Sequence, residues 1–257
     1  MTAVETPNTY DALMQTLKWR RSIRKFTDEP VSDEELYKII DAAHYAMSGA
    51  NSQPWEFIVI KDKETMQKLR FVYENDDYQF TYWLEQQRDP KYRHPYFNYP
   101  SEEMEEQMKR ATGWADAPAM IAIVCDPRKQ FGSVLSARAN LADGSVSVLS
   151  CTMGHVSMLT QLAAASLGLS SARIDTNSQD GYREVLGLPE PMRLYTMVPV
   201  GHRAYQPGPP RRLPTEDLIH YERYDANRLM TGAKFLEHLD MIRGASKGSY
   251  GGGKPKD

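Results

Sequence analysis

The long, mostly apolar stretch at residues 145–168 limits the possible folds more than any other part of the chain. It is nearly long enough to cross a bilayer, which takes about 20 apolar residues. Serines, threonines, His155 and Gln161 interrupt it, and such groups suit a helix packed against protein rather than lipid. We therefore predict a central core helix that ends at Gly168. We expect His155 to make a hydrogen bond in the core or at an interface rather than to act in catalysis.

The size and charge of the chain fit one domain. The chain has 257 residues, of which 41% are hydrophobic, and this is enough to bury one full core. Its 31 basic and 34 acidic residues give a formal net charge of −3, so no broad basic field exists to bind nucleic acid. The first residues, MTAVETPNTYDALM, lack a basic segment followed by an apolar one. We expect a cytoplasmic protein without a membrane segment.

Apolar runs and capping signals predict the other main elements. A short helix is expected at 10–19. Ser32 and Glu35 form the capping box of a second helix, predicted over 33–47. Short runs rich in β-branched residues predict buried strands at 55–60, 119–125 and 194–201.

Residues 71–115 differ in composition from the rest of the chain. Ten aromatic residues lie among charges and prolines at 71–100, before an acidic stretch at 101–110 that predicts a helix. This composition suits a lid over a planar ligand. The alternative is a structural insertion whose aromatic residues cover the core or a dimer contact. The glycine-rich tail at 244–257 is expected to be disordered.

The two cysteines do not predict a metal site or a disulfide. Cys125 lies in an apolar run and Cys151 in a mixed segment. Neither is expected to have a nearby cysteine or histidine at metal-ligand spacing. We interpret both as reduced packing residues, and we predict no metal site.

Two short segments carry the chemistry. Three arginines and the hydroxyl of Ser22 lie within residues 20–24, directly after the first predicted helix, and supply a dense set of donors for a phosphate. A solvated basic surface is the alternative interpretation. Residues 48–55 (SGANSQPW) place small and amide side chains where backbone can approach a flat ligand closely. An ordinary turn is the alternative there.

Together, RRSIRKF and SGANSQPWEF resemble the paired signature of the nitroreductase superfamily. The resemblance continues through APAMIAIVCDP, LGLSSARIDTN, REVLGLPEPMRLYTMVPVGHR and PRRLP, and it covers residues 10–220 apart from 71–115. Within the superfamily, SGAN, the spacing from Ala172 to Gly187 and the RRLP ending are most similar to the iodotyrosine deiodinase branch.

The resemblance implies an α+β fold in which helices flank a mixed β-sheet. It also implies an intertwined homodimer with FMN bound at the subunit interface, so that a monomer lacks an intact site. In this interpretation residues 10–222 form the FMN-binding domain, and residues 71–115 are its lid insertion. Residues 223–257 form a C-terminal extension.

By position in the family motifs, the resemblance implies three groups of FMN contacts. The group at the phosphate and the ribityl chain comprises Arg20, Arg21, Ser22, Arg24 and Arg212. The group that lies against the flavin ring from the other subunit comprises Ser48, Gly49, Asn51 and Pro54. The group near N5 of the ring comprises Ala172, Arg173 and Ile174. Gln53 is expected to support its loop, and Arg211 to assist at the phosphate or to be solvated.

The implied reaction is ping-pong hydride transfer, in which NADH or NADPH reduces FMN and a small nitro- or quinone-like aromatic substrate is reduced in turn. No catalytic side chain is assigned. The lid residues expected to stack on the substrate are Tyr82, Trp83, Tyr92 and Tyr96, with Tyr78, Phe97 and Tyr99 as further candidates. A carboxylate or nitro group is expected to meet Arg88, Arg93 or His94.

Three other functions stay open: reductive dehalogenation of halophenols, electron transfer to oxygen, and flavin binding without turnover. Deiodinases carry a hydroxyl residue at the position of Ile174 and use it at N5, whereas Ile174 leaves only a backbone amide. Their lid also supplies a Glu, a Tyr and a Lys that grip an amino acid, and counting back from Pro118 does not find this trio at matching positions. We therefore do not expect iodotyrosine as the substrate.

Overall fold

The computed structural model describes residues 9–129, 142–210 and 212–249. Its α-helices are α1 (Tyr10–Trp19), α2 (Asp33–Ala43), α3 (Lys63–Val72), α4 (Gln79–Gln86), α5 (Met104–Ala111), α6 (Ala142–Ser166), α7 (Asp180–Leu186) and α8 (Gly232–Ser249). A π-helical turn, Tyr73–Tyr78, joins α3 to α4. The strands are β1 (Trp55–Ile60), β2 (Ala119–Cys125), β3 (Ser170–Ser171), β4 (Ile174–Asp175) and β5 (Arg193–Gly201).

The strands form one sheet in the order β1-β2-β5-β3, and β4 also pairs with β5. All of these pairs are antiparallel. A parallel bridge between Ser22 and Ser171 adds the segment after α1 to the sheet edge and makes the sheet mixed there. The predicted strands at 55–60 and 119–125 are confirmed. The strand predicted at 194–201 begins one residue earlier, at Arg193.

Strand β2 lies at the centre of the core, and every one of its side chains is buried. They alternate between two apolar clusters because the side chains of a strand have a period of two. On one side, Met120 and Ala122 pack with residues of α3 and α7. On the other side, Ile121 and Ile123 pack with residues of α2 and α6. The sheet is therefore covered by helices on both faces, as expected of the α+β fold.

The predicted central helix is confirmed as α6. Past its end, Gly168 takes a left-handed conformation with φ of 78°. Leu169 N donates to Ala164 O at 2.9 Å, and Gly168 N donates to Ala165 O at 3.1 Å, so the last carbonyls of the helix are bonded. Within the described residues, no helix has the length and apolar character that crossing a membrane requires.

Helix α2 has the predicted capping box but is shorter than predicted. Glu35 N donates to Ser32 Oγ at 3.2 Å, and Ser32 N donates to the Glu35 carboxylate at 2.9 Å. The helix ends at Ala43 rather than at Met47. Ala43 is the last buried residue of the apolar face, whereas Tyr45 and Met47 are 78% and 71% exposed. Beyond Ala43 there is therefore no burial to stabilise another turn of the helix.

Two other predicted boundaries need correction. The helix predicted at 101–110 begins at Met104, because the residues before it form a 3-10 turn. The tail predicted as disordered from residue 244 is helical up to Ser249, because α8 continues through it. Leu239 of α8 is buried, and once a helix is anchored each further residue adds a hydrogen bond at little cost. The rest of that tail lies outside the described residues.

The close approach of β5 to the chain before β2 gives a test of the packing. A Cβ added at Gly201 would lie 2.7 Å from Pro118 Cδ and 3.0 Å from Phe26 Cδ1, so something would have to shift. We expect Gly201→Ala to lower the free energy of unfolding in urea by about 1–3 kcal/mol. Gly208→Ala is the matched control, because a Cβ there meets no atom within 4 Å. Equal stability of the two variants would contradict this close packing.

Candidate functional site

The basic segment after α1 is held by its backbone. Ile23 is fully buried, and its N–H donates to Ser171 O at 2.9 Å. Further along, Thr27 N donates to His202 O at 2.9 Å. Because alternate residues of an extended chain point to opposite sides, burial of Ile23 directs the side chain of Ser22 away from the core.

Four of the predicted phosphate contacts surround one polar cavity of about 150 Å³, which we call the arginine pocket. Its lining residues are Arg20, Arg21, Ser22, Pro207 and Arg212. Burial lowers the pKa of Arg20, and the positive charges of Arg212 and Arg21 lower it further. Within the described part of the chain, no acidic residue lines this pocket. Such a cluster of guanidinium groups favours an anion, and phosphate oxygens match its donors.

Arg24 does not line the arginine pocket, and its charge acts on three tyrosines. Burial raises the pKa of Tyr73 to about 12, and the charge of Arg24 opposes this rise. The same two effects act on Tyr96 and on Tyr205, which also bonds to the backbone of Arg24. Tyr73 and Tyr96 belong to 71–115, so this segment reaches the basic cluster. No sequence pattern points to Tyr205, because a lone tyrosine after a strand carries no signal. Arg211 lies outside the described residues.

The loop at 48–54 has an unusual backbone. Ala50, Asn51 and Gln53 have φ of 53°, 54° and 43°, and this left-handed region costs non-glycine residues about 1–3 kcal/mol each. Gln53 N donates to Ser48 Oγ at 3.1 Å, and Gln53 Nε2 donates to Asn51 O at 3.3 Å. Gln53 therefore braces the loop. Strain of this kind concentrates at ligand-binding sites.

The same loop packs closely on α6 and on the sheet. A Cβ added at Gly49 would lie 3.3 Å from Val148 Cγ1. Pro54 is buried, and its carbonyl accepts from Asp126 N at 2.8 Å. No residue of the loop lines the arginine pocket, so a single chain does not bring these two predicted groups together there.

The third predicted group is mostly interior. Ala172 and Ile174 are buried, whereas Arg173 is exposed. The carbonyl of Ile174 accepts from Thr196 Oγ1 at 2.8 Å. Arg173 pairs with Asp175 at 2.6 Å. The Ile174 side chain is therefore occupied by core packing, which leaves the backbone and Arg173 to meet a ligand.

The segment at 71–115 packs largely on itself. Tyr82 is buried and stacks on Tyr99, with ring centroids 5.0 Å apart. The hydroxyls of Tyr78 and Tyr99 lie 2.7 Å apart, and Phe97 meets Tyr78 edge-on with centroids 5.4 Å apart. These contacts make the segment a compact unit with its own aromatic cluster.

A cavity of about 400 Å³, which we call the lid cavity, opens in this segment. Tyr82 and Trp83 line it, whereas the other two predicted substrate residues, Tyr92 and Tyr96, do not. Trp83 is 51% exposed and Tyr92 is 40% exposed. The folded chain therefore brings together two of the four predicted stacking residues.

Arg88, Arg93 and His94, which were predicted to contact a polar group of the substrate, bond to other residues of the same segment. Arg93 donates to the carbonyls of Gln86 and Arg88 at 2.9 and 3.0 Å. Arg88 pairs with Glu85 at 3.1 Å, and Glu85 also accepts from His94 N at 2.6 Å. Of Arg88, Arg93 and His94, Arg93 alone lines the lid cavity and is placed to meet an anionic group there.

The cysteines depart from the prediction in one respect. Cys125 is buried in the core, and burial raises the pKa of its thiol to about 11. Cys151 is exposed on α6, with its sulfur 3.7 Å from Nε2 of His155. The predictions that Cys151 is a packing residue and has no nearby histidine are therefore wrong, because residues four apart on a helix are neighbours. Among the described residues, the buried Nδ1 of His155 has no hydrogen-bond partner.

Asp77 ties the segment at 71–115 to the chain after β4. Its buried carboxylate accepts from Asn177 N at 2.6 Å, from Ser178 N at 3.0 Å and from the Tyr182 hydroxyl. Burial raises the pKa of Tyr182, and the bond to Asp77 raises it further. The π-helical turn that carries Asp77 is thereby joined to the loop that follows the third predicted group.

Comparisons with known proteins agree with one another. The sequence profile of the nitroreductase family matches residues 17–202. A protein of Methanothermobacter thermautotrophicus, provisionally named an NADH dehydrogenase/NAD(P)H nitroreductase, is 27% identical over 216 residues, which are 82% of this chain and 87% of that protein. Iodotyrosine deiodinase 1 of Rattus norvegicus is 41% identical over 63 residues, 24% of this chain and 22% of the deiodinase. A crystal structure of oxidized iodotyrosine deiodinase bound to FMN and 3-iodo-L-tyrosine shares the fold, with a TM-score of 0.60 and 19% identity over 82% of this chain and 100% of that one.

Asp77→Asn tests how firmly the segment at 71–115 is held. The variant removes the negative charge that accepts from Asn177, Ser178 and Tyr182, so we expect the free energy of unfolding in urea to fall by about 1.5–3 kcal/mol. Tyr182→Phe is the comparison: it removes one hydroxyl and leaves both backbone bonds, with an expected loss of about 0.5–1.5 kcal/mol. An Asp77→Asn loss no larger than that of Tyr182→Phe would show that the negative charge of Asp77 contributes little to these bonds.

Proposed function

The chain belongs to the nitroreductase family, and from this premise we propose that it is an FMN-dependent oxidoreductase. It takes reducing equivalents from NADH or NADPH and reduces a small aromatic substrate of the nitro or quinone type. The observation that carries the proposal is the arginine pocket, which gathers residues of RRSIRKF and Arg212 of PRRLP around a space suited to a phosphate.

The arginine pocket fits the terminal phosphate of FMN. Its volume of about 150 Å³ suits one small anion. A phosphate monoester carries about two negative charges, which the clustered guanidinium groups offset. We assign Arg20, Ser22 and Arg212 to the phosphate. Arg21, which donates to Gly208 O, closes the side of the pocket next to the chain after β5.

Bound FMN supplies the ring that accepts a hydride from the nicotinamide and passes it to the substrate. The residues of the chain position and shield that ring. We assign Arg24 to the ribityl chain, since it lies outside the phosphate pocket and near Tyr73, Tyr96 and Tyr205. The segment at 71–115 covers the site and excludes water, which strengthens the electrostatic contacts inside it.

A second subunit completes the site in this proposal. The loop at 48–54 does not line the arginine pocket of its own chain, so we assign its Ser48, Gly49, Asn51 and Pro54 to the flavin bound mainly by the other subunit. Exposed apolar side chains on α2, just after it and on α6 support an interface there: Tyr37, Tyr45, Met47, Val148 and Met158. Helices α2 and α6 pack on each other, and dimerisation would bury this surface.

Reductive dehalogenation of a halophenol is the second candidate function, because part of the chain is similar to iodotyrosine deiodinase. Ile174 argues against it, since its side chain lies in the core and provides no hydroxyl near the ring. Flavin binding without turnover is the third candidate. The first experiment below separates all three functions.

The visible spectrum of the purified protein is that first experiment. We expect flavin bands near about 450 nm that bleach on anaerobic addition of NADH or NADPH and return when a nitroaromatic acceptor is added. Flavin that dithionite bleaches but neither nicotinamide does, with halide released from a halophenol, would identify a dehalogenase. Bound flavin with no turnover of either kind would leave a binding protein. A colourless protein that takes up no added FMN would refute the flavin proposal.

Arg20→Ala tests the phosphate assignment. We expect the Kd of FMN to rise about 10- to 100-fold, because the variant removes a charge-assisted hydrogen bond. Lys25→Ala is the matched control: it also removes a positive charge from this segment, but Lys25 is exposed and does not line the pocket. Titration of the apoprotein with FMN, followed by quenching of the flavin fluorescence, measures both values. The same Kd for both variants would count against the assignment.

A further inference from the structure

A second and larger cavity adjoins the arginine pocket. It has a volume of about 760 Å³ and lies between the ends of α1 and α6 and the chain after β5. We call it the tryptophan cavity, after Trp19 in its wall. Arg21 and Pro207 line both spaces. A ligand bound in the arginine pocket therefore has this cavity beside it.

The wall of the tryptophan cavity combines positive charge with flat apolar surface. Lys18, Arg21 and Arg203 line it, and among the described residues no acidic side chain does. The guanidinium of Arg203 lies 3.6 Å from the centroid of the Trp19 ring, and its Nε donates to Ser170 Oγ at 3.0 Å, so both side chains are held in place. Trp19 and the prolines after β5 offer flat surface to a ring. This wall suits an anionic ligand that also carries a heteroaromatic ring.

Binding of FMN does not account for the tryptophan cavity. FMN has one phosphate, and the arginine pocket of about 150 Å³ suits one such group. The cavity of about 760 Å³ beside it has the size of a site for a nucleotide-sized ligand. We propose that the tryptophan cavity binds an adenylate group next to the flavin phosphate. This inference rests on the proposed flavin site and adds a second ligand subsite to it.

An adenylate group reaches this position from two sources. FAD carries one joined to the flavin phosphate, and NADH and NADPH carry one at the end opposite the nicotinamide. In either case the adenine lies against Trp19 and the prolines, and the phosphate lies against Lys18 and Arg21. The shared chemistry makes one cavity suitable for both, and binding measurements separate them.

Titration of the apoprotein with FMN and with FAD tests whether the flavin cofactor supplies the adenylate group. If the cofactor is the source, FAD rather than FMN is the preferred flavin: its Kd lies at least about fivefold below that of FMN, and Lys18→Glu weakens FAD binding by at least about fivefold while the Kd of FMN stays within about twofold. Lys25→Glu is the matched control, because it makes the same change of charge at an exposed residue that lines neither cavity. It should leave the ratio of the two Kd values unchanged. Urea unfolding of each variant checks that it folds.

Binding of AMP tests whether NADH or NADPH, the electron donor, supplies the adenylate group. If FAD binds no more tightly than FMN, we expect calorimetry to show AMP binding to the FMN-loaded protein with a Kd below about 1 mM, lost in Lys18→Glu and competitive with NADH or NADPH. FAD that binds no more tightly than FMN, together with no AMP binding up to about 10 mM, overturns the proposal. AMP binding to a protein that binds neither flavin would refute the flavin function and retain the adenylate site.

Discussion

Every side chain of β2 is buried, and this burial fixes the layers of the fold. A strand whose side chains all enter the core needs a layer of helices on each face of its sheet. Helices α2 and α6 provide one layer, and α3 and α7 provide the other. Segments without regular structure are then left to the edges of the sheet. The basic segment lies at the edge formed by β3, where it pairs with Ser171.

At that edge, the position of the arginine pocket follows from one buried side chain and one backbone bond. Ile23 enters the core and its N–H bonds to Ser171, so the neighbouring side chains are held in one arrangement. Burial lowers the pKa of Arg20 and the positive charge of Arg212 lowers it further, so clustering the two arginines has an electrostatic cost. A bound anion would offset that cost. Cofactor binding and the stability of this edge are therefore linked, since a ligand that binds only the folded state stabilises it.

The segment at 71–115 joins two parts of the proposed site. Asp77 accepts hydrogen bonds from the chain after β4. Elsewhere in the segment, burial raises the pKa of Tyr96, and the charge of Arg24 opposes this rise. The aromatic cluster between these contacts keeps the segment compact. This arrangement is compatible with a lid over a planar ligand and with a structural insertion, because a lid must itself be packed.

Local sequence patterns were enough to predict the features that depend on neighbours a few residues apart: the capping box at Ser32, the long core helix ended by Gly168, and the main strands. Motif resemblance added the prediction that Arg20 and Arg212 bind the same phosphate, and both residues line one pocket. The tertiary structure alone decided where α2 ends, which aromatic side chains are buried, and that a second cavity adjoins the pocket. It also decided the bond between Asp77 and Tyr182, which are 105 residues apart in the chain. No local pattern encodes such contacts, because they exist only after packing of the core has brought distant segments together.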